Sequence, residues 1–62
     1  MEIVGQIIII STREIQLRFR MERGNEVNLR ITISNRDFRT NFVLNPAERE
    51  FIREVLNSNE LL

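Results

Sequence analysis

From residue 14 to residue 34 the chain alternates apolar and polar side chains with period two, in two runs separated by one glycine-containing gap. That pattern commits both runs to extended strands with one buried face. In residues 14–22, EIQLRFRME, Ile15, Leu17, Phe19 and Met21 point one way, and Glu14, Gln16, Arg18, Arg20 and Glu22 the other. In residues 27–34, VNLRITIS, Val27, Leu29, Ile31 and Ile33 line the apolar side, opposed by Asn28, Arg30, Thr32 and Ser34. Arg23-Gly24-Asn25 between them reads as a hairpin loop, since Gly24 and Asn25 both tolerate positive φ.

The cover for that apolar side comes from the one segment with helical periodicity, LNPAEREFIREVL at 44–56. Asn45 suits a helix cap, Pro46 the first helical position, and Glu48 completes an Asn-x-x-Glu capping box. Phe51, Ile52, Val55 and Leu56 share one stripe by the i, i+3, i+4 rule, with Arg49, Glu50, Arg53 and Glu54 on the opposite face. The helix is expected to stop near Asn57 or Asn59. Residues 3–10 and 38–44 read as two further strands, the latter with Phe38, Phe42 and Leu44 inward and Arg39, Asn41 and Val43 outward. The expected fold is a single α+β domain over 1–62: a four-stranded antiparallel sheet followed by one C-terminal amphipathic helix, ββββα.

Residues 7–10 are four consecutive isoleucines, apolar on both faces, and a strand apolar on both faces must be covered on both. One helix cannot do that. A 62-residue chain also has only a marginal core and no cysteine to staple it. A homodimer with Ile8 and Ile10 in its interface is therefore expected.

Histidine and cysteine are both absent, which removes disulfides, Cys/His zinc sites, thiol nucleophiles and imidazole bases together. The two glycines build no phosphate loop, and the helix glutamates at 48, 50 and 54 make no metal cage. No catalytic residue, metal, cofactor or small-molecule substrate is expected. The N-terminus lacks the pattern of a signal peptide and the longest apolar run is far too short to span a bilayer, so an intracellular protein without a membrane partner is expected.

Formal charge is zero, from nine arginines and nine acids, with no lysine at all. The charge is nonetheless uneven: residues 13–45 carry seven arginines against four acids, whereas from Pro46 onward two arginines meet four glutamates. The polar side of the strands gathers Arg18, Arg20, Arg30 and Arg39, interleaved with Gln16, Asn28, Thr32 and Asn41. Guanidinium and amide donors on a flat face suit phosphates and splayed bases.

The order ββββα, ending in Leu44-Asn45-Pro46 before the helix, resembles the positive cofactor four family of transcription coactivators, and more distantly the Pur and Whirly single-stranded-DNA binders. Residues 22–33, ERGNEVNLRITI, are similar to that family's charged, glycine-containing turn and third strand. The likeness runs from about Ile15 to Leu56. It implies a non-catalytic homodimer whose helices pack at its centre through Phe51, Ile52, Val55 and Leu56. It also implies strands that present Arg18, Arg20, Arg30 and Arg39, with Arg23 at the hairpin, to single-stranded DNA or RNA. The family's stacking aromatics fall near Glu22 and Arg23 and at Arg49 here, all polar positions. The alternative reading is a protein-interaction or assembly module without nucleic-acid binding.

Overall fold

The computed structural model describes residues 1–62. The two alternating runs pair as expected: β2 (Glu14–Arg20) and β3 (Glu26–Ser34) run antiparallel with Leu17 opposite Leu29 and Arg18 opposite Asn28. Directly opposed residues share a face, so this register puts Ile15, Leu17 and Phe19 with Leu29 and Ile31 on one side. Gly24 closes the hairpin at φ +97°, donating its N–H to the Met21 carbonyl at 2.8 Å. β1 (Glu2–Ile9) flanks β2, and β4 (Asp37–Thr40) flanks β3, giving a four-stranded antiparallel sheet in the order β1-β2-β3-β4.

Helix α1 (Pro46–Ser58) lies on the apolar side. Asn45 caps it with the expected reciprocal box: its side chain accepts from the Glu48 N–H at 2.7 Å, and the Glu48 carboxylate accepts from the Asn45 N–H at 2.9 Å. Ile15, Leu17, Phe19, Met21, Leu29, Ile31, Phe38, Ile52 and Leu56 form the buried core, with the Phe19 and Phe51 rings stacked at 5.7 Å between centroids. The architecture is the α+β, ββββα arrangement read from the sequence. No helix is long and apolar enough to cross a membrane.

Two local readings need correction, and the first strand carries an irregularity besides. The fourth strand stops at Thr40 instead of reaching Leu44. There the Thr40 hydroxyl donates to the Phe42 carbonyl at 2.6 Å, and the chain turns out of the sheet. Phe42 is consequently 42% exposed and not inward, and Val43 is 94% exposed, while Leu44 packs on the core. In the first strand, Val4 to Ile8 advances four residues while its partners advance only two, from Arg18 to Gln16. This bulge depends on Gly5, which adopts φ +79°. Finally, Arg49 and Arg53 do not occupy the solvent side of the helix. Both are half-buried, with guanidinium carbons 4.2 and 5.2 Å from the centroid of the Phe38 ring.

Candidate nucleic-acid interface

The helix-free side of the sheet is built by the same alternation that makes the core. Register places Glu14, Gln16, Arg18 and Arg20 of β2 opposite Thr32, Arg30, Asn28 and Glu26 of β3, and Arg39 of β4 opposite Thr32. β1 adds Glu2, Val4 and Ile8, opposite Arg20, Arg18 and Gln16. Arg18, Arg20, Arg30 and Arg39 thus share one face, spread over three strands.

Three of the four are held by carboxylates. The Arg18 Nε donates to Glu26 Oε1 at 3.0 Å and the Arg20 Nη2 to Glu26 Oε2 at 2.8 Å. Arg20 also pairs with Glu2. Arg30 has a longer contact, 3.6 Å, to Glu14. The hydrogen bond from Arg20, followed by that from Arg18, holds the Glu26 carboxyl below its ordinary range. Glu26 in turn raises Arg20. Four arginines against Glu2, Glu14 and Glu26 leave these rows at +1, and Asp37, opposite Ser34 at the end of β4, is taken up by Arg49 and Arg53 of the helix. The larger excess counted along residues 13–45 is not concentrated here, because Arg13, Arg23 and Arg36 sit in turns.

The two amides on the face play different parts. Asn28 Oδ1 accepts from Arg18 Nη1 at 3.0 Å and orients that guanidinium. Asn41 is tied up: its Oδ1 accepts from the Arg30 N–H at 2.8 Å and its Nδ2 donates to the Asn28 carbonyl at 3.1 Å. Its side chain continues the β3 ladder at the end of β4, which leaves one of its two amide N–H donors free.

The arginines without a carboxylate partner are Arg13, Arg23, Arg36 and Arg39. Arg23 sits at the β2–β3 hairpin. The other three gather toward the opposite end of the sheet. The Arg13 carbonyl accepts from the Ile33 N–H at 2.6 Å, Arg36 lies in the turn that follows β3, and Arg39 stands two rows into the strand after it. A depression of about 270 Å³ lies at this end, lined by Ser34, Asn35, Asp37, Phe38 and Arg39. Arg13 and Arg36 were not singled out from the sequence. Their partner-free state depends on where the acids fall in space, which spacing along the chain does not encode.

The residues expected at a dimer contact divide. Ile52 and Leu56 are fully buried in the protomer's own core, Phe51 is half-buried against it, and Val55 is half-buried. Ile8 and Ile10 are exposed. No three His, Cys, Asp or Glu side chains converge. Comparison with protein-family models, with curated proteins and with solved structures finds no match to this chain.

Proposed function

We propose that this chain is a non-catalytic, intracellular, homodimeric protein that binds single-stranded DNA or RNA on the helix-free face of its sheet. The observation that carries this reading is the placement of Arg18, Arg30 and Arg39 on one exposed surface across three strands. The resemblance to the positive cofactor four family points the same way. Arg39, which forms no ion pair, takes the first phosphate, and Arg30, whose contact to Glu14 is long, takes the next. Arg18 and Arg20 engage by exchanging Glu26 for phosphate oxygens, a substitution of one charge-assisted bond for another. With no aromatic on the face, bases are met by guanidinium planes and amides, so binding is electrostatic and indifferent to base identity.

Fluorescence anisotropy with an oligo-dT probe at two salt concentrations tests the proposal. Each phosphate contact on a single strand contributes about 0.7 to the slope of log K against log salt, so four arginines give a slope no steeper than about −3. Arg18→Glu with Arg30→Glu should abolish binding. A folded wild-type protein that does not bind at low salt, or a double variant that binds unchanged, ends this reading. The second reading, an assembly module without nucleic acid, is favoured by the exposure of Ile8, Ile9 and Ile10. It predicts capture of protein partners that survives nuclease treatment.

A further inference from the structure

β1 is an edge strand whose one neighbour is β2, so its outward backbone N–H and C=O groups have no strand to meet. Edges are ordinarily blunted by charge, proline, brevity or a bulge. β1 has its bulge at Gly5, and the isoleucines that follow carry neither charge nor proline. No charged residue occurs from Ile3 to Thr12, and Ile8, Ile9 and Ile10 are 59%, 63% and 51% exposed. Ile8 is on the arginine side, opposite Gln16, and Ile9 is on the helix side, opposite Ile15. The other edge of the sheet is closed. β4 is only four residues long, and Arg49 and Arg53 both bond Asp37 there at 3.0 Å. The molecule therefore has one open edge.

We infer that a second copy of this chain covers that edge, with β1 pairing antiparallel to the partner's β1 about a two-fold axis normal to the sheet. The inference rests on the homodimer reading above and does not depend on nucleic acid. Electrostatics favours self-pairing, because a two-fold axis brings each residue near its own copy and any charge in the contact would face its like. The stretch is neutral, so nothing opposes it. A single open edge also means that pairing stops at two chains and does not propagate.

The faces fix the register further. Directly opposed residues of an antiparallel pair lie on the same side of the sheet, so opposed residue numbers must have the same parity. The axis then passes midway between one residue and its own copy, Ile8 with Ile8 or Ile9 with Ile9. Because the axis is normal to the sheet, both arginine faces emerge on one side, separated by Val4 and Ile8 of the two copies.

The absence of cysteine makes the test clean. Single-cysteine variants Ile8→Cys, Ile9→Cys and Val43→Cys, all at exposed positions, are oxidised gently while the wild-type chain is sized by sedimentation velocity. The wild type should sediment at twice 7.4 kDa. One of Ile8→Cys and Ile9→Cys should form the linked dimer about tenfold faster than Val43→Cys, because pairing raises the local concentration of the two thiols. A wild type that stays monomeric at about 1 mM overturns both the dimer and this contact. A dimer in which neither β1 cysteine outruns Val43→Cys overturns the β1 contact and leaves the homodimer reading in place. Assemblies larger than two overturn the closure.

Discussion

Arg36 and Glu60 hold left-handed backbone conformations, at φ +60° and +56°, that a side chain with a Cβ adopts at a cost. Arg36 follows Asn35, also left-handed at φ +52°, in the two-residue turn joining β3 to β4, the geometry that favours Asn-Gly. Glu60 is the left-handed residue of a helix stop. Leu61 donates its N–H to the Leu56 carbonyl at 2.8 Å and Glu60 donates its own to Asn57 at 3.0 Å. Arg36→Gly and Glu60→Gly should each raise stability by up to about 1 kcal/mol, read as a higher midpoint in urea. Glu48 shows the opposite case, a residue whose loss strands its partners. It is 2% exposed and accepts from the backbone N–H groups of Asn45 and Glu22, both at 2.9 Å, tying the helix start to the end of the β2–β3 hairpin. Glu48→Ala should cost about 2–4 kcal/mol, and Glu48→Gln, which keeps one carbonyl acceptor, visibly less.

Between β4 and α1 the joint is ionic as well as apolar. Asp37 Oδ1 accepts from the Phe38 N–H at 2.9 Å and from Arg49 and Arg53 at 3.0 Å each, beneath two guanidinium groups that cover the Phe38 ring. The Phe38 N–H, then Arg53, hold the Asp37 carboxyl below its ordinary value of 3.8. Unfolded chains therefore take up the proton first as pH falls. The contribution of Asp37 is complete above about pH 4 and disappears as pH drops through the lowered folded value. Asp37→Asn should accordingly lose stability at neutral pH and show a shallower decline below pH 4 in thermal melts. Much of this element level was legible beforehand. Period two gave the faces of β2 and β3, and Asn45-Pro46 with Glu48 gave the helix start, because these signals act over four residues or fewer. What was not legible is non-local. The early end of β4 depends on Asn41 finding the β3 backbone, and the inward lean of Arg49 and Arg53 depends on Asp37 waiting across the gap. The bulge at Gly5 likewise reflects a register set by β2.

At the scale of the whole molecule, what matters for the proposed ligand is whether the arginine face is available or already satisfied within the chain. Alternation along β2 and β3 placed Arg18, Arg20 and Arg30 together but also put Glu14 and Glu26 among them, and no spacing rule says which carboxylate each guanidinium will choose. The answer is that one glutamate holds two arginines. If phosphate must displace Glu26, that carboxylate is an internal competitor, and its removal should strengthen binding while leaving the fold intact, since exposed ion pairs contribute little to stability. Glu26→Gln should therefore bind oligo-dT more tightly than wild type at low salt. Its salt slope should still be no steeper than about −3, because the same four guanidinium groups meet phosphate at ~0.7 each. If Arg18 and Arg20 serve only to cross-link β2 to β3, Glu26→Gln instead leaves the affinity where it was. The anisotropy titration that measures wild-type binding decides between these outcomes, because the variant differs at one exposed side chain and in nothing that touches the core.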